Sequence, residues 1–160
     1  MRSVFILALA SLLSACGFQL RGANVLPGDL QNLYVQAPVS LADEVRIFLD
    51  GTDTRVLNQR NGADVILTLS DDRYDRRVLS VDPNTGKERE FELSYSLNYQ
   101  AKRSDGKTLL NSNRLTIRRD YVFDQDAIIG KSREAGVLRS EMRRDAIQQV
   151  LFRLQSATGG

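Results

Sequence analysis

The chain has 160 residues, 42% of them hydrophobic and 26% charged, with a formal charge of +2, which is the size and composition of one folded domain rather than a disordered chain. A charge this close to neutral excludes a general nucleic-acid footprint, which needs a strongly basic domain or face. No histidine occurs in the sequence, which removes every triad and zinc arrangement built on imidazole, and a single cysteine leaves no internal disulfide.

The first stretch, residues 1–22, opens with Arg2, runs through the apolar positions between Val4 and Leu13, and reaches Leu13-Ser14-Ala15-Cys16 followed by Gly17. That is the pattern of a secretory signal ending in a small-residue cleavage site, and about ten apolar positions are too few for a membrane span, which needs roughly 20. Leu13-Ser14-Ala15-Cys16 resembles a bacterial lipobox. The resemblance implies a diacylglyceryl group on the Cys16 sulfur, cleavage just before it and acylation of the freed amine. Residues 1–15 are then a cleaved lipoprotein signal, residues 16–30 a lipidated tether and residues 31–157 a single domain. Removal of Arg2 with no acidic residue lowers the balance from +2 to +1. Gly17 stands where many bacterial inner-membrane lipoproteins carry a retention aspartate.

Gly22, Pro27 and Gly28 mark the tether and a turn, with Leu20 as its packing anchor. Asn32-Leu33-Tyr34-Val35-Gln36-Ala37 reads as a short strand, with Leu33 and Val35 on one side and Tyr34 on the other. Ser40 is placed to cap a helix, with Asp43 or Glu44 completing an irregular capping box, and Leu41, Val45, Phe48 and Leu49 form its apolar stripe. Near Gly51 that helix ends or continues poorly toward Val56 and Leu57.

After the Asn61-Gly62 turn, Val65, Leu67 and Leu69 mark a strand. Beyond Asp71 the apolar positions move to Tyr74 and Val78, from odd to even, and with a side-chain period of two that slip demands a bulge, twist or surface extension. Asp82-Pro83-Asn84-Thr85-Gly86 reads as a hairpin loop. The clearest strand alternates Phe91, Leu93, Tyr95, Leu97, Tyr99 and Ala101 with Glu92, Ser94, Ser96, Asn98 and Gln100, as for a sheet packed on one face only. Ser104-Asp105-Gly106-Lys107 turns the chain into a further strand over residues 108–123, whose apolar parity Leu109, Leu115, Ile117, Tyr121 and Phe123 is interrupted by Arg119.

From Asp126 the period becomes helical through Ile128, Ile129, Val137, Leu138, Met142, Ala146, Ile147, Val150, Leu151 and Leu154, with Gly130 and Gly136 disturbing the first turns. Residues 156–160 are expected to fray. The element order strand, helix, three strands, helix predicts an α+β domain: two helices on one face of a four-stranded mixed or mainly antiparallel sheet.

Chemistry is sparse. Asp50, Asp53, Asp71, Asp72 and Asp75 lack calcium-loop spacing, no glycine-rich segment has the lysine and hydroxyl of a phosphate loop, and Glu88, Glu90 and Glu92 read as a solvated sheet edge. No metal, cofactor or catalytic set is predicted. The charge grouping of interest is Arg114, Arg118 and Arg119, with Arg76, Arg77, Lys87 and Arg89 on the adjoining hairpin. Arginine forks suit phosphate and carboxylate, so this edge is either an anionic contact or a face of interspersed charges with Asp75, Asp82, Glu88 and Glu90. Tyr95 and Tyr99 share the core-facing parity.

The opening Cys16-Gly17-Phe18-Gln19-Leu20-Arg21-Gly22, followed by the early strand and helix, the long alternating strands and Glu141-Met142-Arg143-Arg144-Asp145-Ala146 before Leu151 and Leu154, resembles the LPS-assembly lipoprotein family, LptE, also called rare lipoprotein B. The resemblance implies a non-enzymatic, palmitate-bearing lipoprotein held in the outer membrane by its N-terminal acyl chains and facing the periplasm. It implies pairing with the large barrel protein LptD, plugging of that barrel, help in its assembly, and delivery of lipopolysaccharide to the outer leaflet. Two helices against a four-stranded sheet is the fold it implies. Basic positions of the family are thought to touch lipopolysaccharide, which makes Arg114, Arg118 and Arg119 the candidates here. The alternative is an independent periplasmic glycolipid-binding or transfer lipoprotein with a deep apolar cavity between helices and sheet; an enzyme acting on envelope polymers is poorly motivated, since no acid/base set converges.

Overall fold

A computed structural model of the chain describes residues 26–28, 30–122 and 128–159. The expectations for residues 1–15, Cys16, Gly17, Leu20 and Gly22, the placement of Phe123 and Asp126, and the side chains of Ile128, Ile129 and Arg133 lie outside the described residues. Leu26 and Leu30 are buried members of the core, so the chain is packed before its first strand begins.

Strand β1, Asn32–Gln36, buries Leu33 and Val35 and turns Tyr34 to the other side, as its alternation predicts. Helix α1, Val39–Leu49, follows with Pro38 at its N-cap and no side-chain cap. The Leu41 and Ala42 amides both donate to the Pro38 carbonyl at 3.0 Å, so Ser40 lies inside the first turn and is not the cap. Proline's preset φ starts the helix one position earlier than the hydroxyl signal suggests. The buried stripe is Leu41, Ala42, Val45 and Leu49. Phe48 is 40% exposed, on the flank of that stripe rather than in it.

Gly51, at φ +77°, ends the helix in the left-handed region that favours glycine, and the Thr52 amide and hydroxyl both donate to the Leu49 carbonyl, at 3.0 and 2.7 Å. The chain then forms a strand where a weak helical continuation was expected. Strand β2, Arg55–Leu57, runs parallel to β1 with Asn32 opposite Arg55 and Tyr34 opposite Leu57. The sheet therefore has five strands, not four, in the order β2-β1-β3-β4-β5. Three residues are too few to show a period, and β2 exists because it meets the open edge of β1.

Strands β3, Val65–Val81, β4, Glu88–Arg103, and β5, Thr108–Val122, form the expected antiparallel meander, whereas β1 is parallel to β3. The parity slip in β3 is a bulge: the register jumps between Ser70 and Arg73, and Asp71 has φ +54°. At the hairpin loop the Asp82 carboxylate accepts from the amides of Asn84 and Thr85 at 2.9 Å, which lowers its pKa.

Helix α2, Ile128–Thr158, runs unbroken through Gly130 and Gly136 and is helical to Thr158, past the point where fraying was expected. The Thr158 hydroxyl donates to the Leu154 carbonyl at 3.0 Å and the Gly159 amide to the Gln155 carbonyl at 2.9 Å, so the tail groups satisfy the last carbonyls. Met142, Ala146, Ile147, Val150, Leu151 and Leu154 are buried, a helical stripe that lies on Phe91, Leu93, Tyr95 and Leu97 of β4 in one core. Each fully buried large aliphatic side chain there contributes about 1.5–3 kcal/mol. Both helices cover the same face of the sheet, and the opposite face is open.

Candidate functional site

The pleat divides the three candidate arginines between the two faces of the sheet. Arg114 and Arg118 share their face with Asn98 and Ser94, their partners in β4, on the open side. Arg119 has the core-facing parity of Leu115 and Ile117 and reaches α2, donating to Asp145 and lying 3.9 Å from Glu141. Its interruption of the apolar alternation is thus a tie between β5 and α2. Arg114 is also engaged, donating to Asp71 and, through Nε, to the Asn98 carbonyl oxygen at 2.9 Å. Arg118 has no ion-pair partner among the described residues.

The hairpin charges are interspersed. Arg76 pairs with Glu88 at 3.2 Å, Arg77 with Glu92 at 3.1 Å, and the Ser80 hydroxyl donates to Glu90 at 2.8 Å. Arg76 also lies 4.1 Å above the Phe91 ring. Such solvated pairs contribute about 0–1 kcal/mol each, and they commit all three glutamates to cross-strand contacts. Asp71 and Asp72 point to opposite faces. Among the described residues no group of three or more potential ligands converges on a metal position.

The polar centre of the molecule lies elsewhere. The β3 bulge turns Asp72 inward, where its Oδ2 accepts from Arg143 of α2 at 2.9 Å. Arg143 Nε lies 3.9 Å from Glu44 of α1, and Arg144 Nε lies 3.6 Å from the other oxygen of the same carboxylate. One guanidinium therefore links the sheet to both helices, in surroundings where Asp72 and Glu44 are only 17% and 20% exposed. Neither helix nor strand periodicity predicts this contact, although the paired aspartates at the parity slip are its sequence signal.

The Tyr95 ring lies beside this cluster, and its buried hydroxyl has no hydrogen-bond partner. Burial first, and the nearby Asp72 charge second, raise the phenol pKa well above its ordinary value, with Arg143 opposing. A folded-state pKa above the unfolded value gives stability that is complete below the ordinary phenol pKa of 10.0 and is lost as pH rises above it. Tyr95→Phe removes an unsatisfied hydroxyl, so its stability at neutral pH is expected to equal the parent's or exceed it by about 1 kcal/mol. Urea titrations from neutral to alkaline pH should show the parent falling relative to the variant above pH 10.0. A neutral-pH loss as large as a core truncation would contradict the orphaned hydroxyl.

Between α1 and α2 runs a groove of about 240 Å³, lined by Ser40, Asp43, Ile47, Phe48, Arg144 and Ile147 among others. Ligand sites typically enclose about 300–1,000 Å³ and bury most of their ligand; this groove is smaller. The layer between helices and sheet is filled by Phe91, Leu93, Tyr95, Leu97, Met142, Ile147 and Leu151. Glycolipid transfer through a deep cavity at that position has no support in this packing.

Comparisons with known proteins converge. A family model described as "LptE: Lipopolysaccharide-assembly" matches residues 30–154. The LPS-assembly lipoprotein LptE of Pectobacterium atrosepticum is 28% identical over 164 aligned residues, covering 96% of this chain and 85% of that protein. The solution structure of lipoprotein B from Nitrosomonas europaea superposes with a TM-score of 0.73 at 26% identity, over 90% of this chain and 94% of that one. The crystal structure of rare lipoprotein B from Shewanella oneidensis gives 0.67 at 28% identity, over 78% and 94%.

Proposed function

The chain belongs to the LptE, lipopolysaccharide-assembly, family, and from that premise we propose that it plugs and helps assemble the outer-membrane barrel LptD. Its function is that of a non-enzymatic lipoprotein in lipopolysaccharide assembly at the outer membrane. The observation that carries this reading is the family match across residues 30–154, joined to a domain whose interior is filled and whose chemistry lies on its surfaces. The role is one of binding: acyl chains on Cys16 hold the domain to the periplasmic leaflet, and polar surfaces meet the polar interior of a transmembrane barrel. Lipopolysaccharide reaches the outer leaflet through the assembled pair.

Of the three candidate arginines, Arg118 is the one with a guanidinium uncommitted among the described residues, and it is the position we assign to a phosphate or carboxylate of the glycolipid or the barrel. Arg114 and Arg119 are structural. Detergent extraction of membranes followed by affinity capture should bring down a barrel protein in about equal amount. Its repeated absence, under conditions that preserve other envelope complexes, would overturn the reading.

Anchorage is tested separately. Cys16→Ala is expected to abolish incorporation of labelled palmitate and to release the domain from the membrane fraction. Incorporation at the parental level would show that Cys16 is not the acylated residue.

A further inference from the structure

We propose that the open face of the sheet, centred on Ser96, is the surface that docks against the inner wall of the barrel, rather than the exteriors of the helices; this rests on the barrel-plug reading above. The outward positions of the central strand β4 are Ser94, Ser96, Asn98 and Gln100, four successive residues with neither charge nor a β-branched or aromatic side chain. A solvated strand position usually carries residues that favour the pleated surface, such as threonine, or long charged chains that keep it soluble. Here the strand gives up that preference over four consecutive outward positions with no gain in packing, the kind of local inconsistency that marks a functional surface.

Ser96 supplies an independent observation. It is 8% exposed, between Arg73 of β3 and Thr116 of β5, and its hydroxyl has no hydrogen-bond partner among the described residues. A buried hydroxyl aimed at an open face awaits a partner.

The charges around it indicate what that partner is. Arg114 is neutralised by Asp71 and Arg77 by Glu92. Asp75 and Arg118 lie on either side of Ser94 and Arg73 beside Ser96, and none of the three has an ion-pair partner among the described residues. The surface is thus a flat hydroxyl and amide strip with a small positive excess, complementary to a wall of polar side chains bearing an occasional carboxylate. A multiply phosphorylated headgroup would need more free cations than this face offers. The helical side is less suited to a polar lumen, since it exposes Val39, Ile47 and Phe152.

The test uses the full-length lipoprotein expressed with its barrel. Ser96→Trp fills the strip with a good strand former, and Arg118→Glu reverses its free charge. Each is expected to lower the barrel recovered per lipoprotein at least tenfold while the thermal melt of the soluble domain stays at the parental temperature. Ile47→Glu, on the helices, is expected to recover the barrel normally. Should Ser96→Trp lower the melt, Arg118→Glu, which is exposed, decides. Parental recovery by Ser96→Trp and Arg118→Glu overturns the proposal, as does loss confined to Ile47→Glu, which would place docking on the helices. Loss of bound lipopolysaccharide with the barrel retained would make the face a saccharide reader and equally overturn it. If the parental chain itself captures no barrel, the plug reading fails and this inference with it.

Discussion

Arg143→Ala is expected to destabilise the domain by about 2–3 kcal/mol, because it leaves the Asp72 and Glu44 carboxylates partly desolvated without the cation they share. The geometry is specific: Arg143 holds Asp72 at 2.9 Å and approaches Glu44 at 3.9 Å, so a single truncation cuts β3 from α2 and weakens the tie to α1. The effect sits at the low end for buried pairs since the three side chains keep 17–21% of their exposure, and water partly compensates. Adding Asp72→Asn should recover much of the loss, because the carboxylate left behind is its main source; the two changes share one contact and are not additive. Urea unfolding at constant m-value measures both. A loss under about 0.5 kcal/mol for Arg143→Ala would place the cluster among surface ion pairs of little worth.

The bulge one residue earlier gives the second large effect. Asp71 holds φ +54°, a conformation that costs an ordinary L-residue about 1–2 kcal/mol and a β-branched one more. Asp71→Val is therefore expected to lose about 2–3 kcal/mol, through backbone strain together with loss of the Arg114 contact. Asp71→Gly loses the same ion pair but not the backbone fit, and should fall within about 1 kcal/mol of the parent. The difference between the two variants isolates strain from charge. If valine and glycine prove equal, the bulge does not hold this conformation in solution.

These two predictions depend on adjacent aspartates that the alternation of β3 marks without explaining. The move of apolar residues from Leu67 and Leu69 to Tyr74 and Val78 requires a bulge, and one is present. The consequence, that Asp71 meets Arg114 on the open face and Asp72 meets Arg143 in the interior, needs the two partner elements in place. Arg119 is a similar case. It breaks the apolar parity of β5 in the sequence, and only the position of Asp145 on α2 explains the break. The grouping of Arg114, Arg118 and Arg119 followed from proximity in sequence, and the pleat separates it, because neighbouring residues on a strand face opposite ways.

By itself the sequence determined the long periodic elements and the open polar face of β4, since alternation and helical spacing are local consequences of which side chains must leave water. It also held the lipobox resemblance and the residues that point to the LptE family. Tertiary structure alone decided the fifth strand, whose three residues acquire strand geometry only by pairing with the edge of β1. It decided the start of α1, where Pro38 rather than Ser40 stands at the N-cap. And it decided the Asp72, Arg143 and Glu44 junction, because contacts between residues far apart in the chain depend on the packing of layers and leave no period in any single segment.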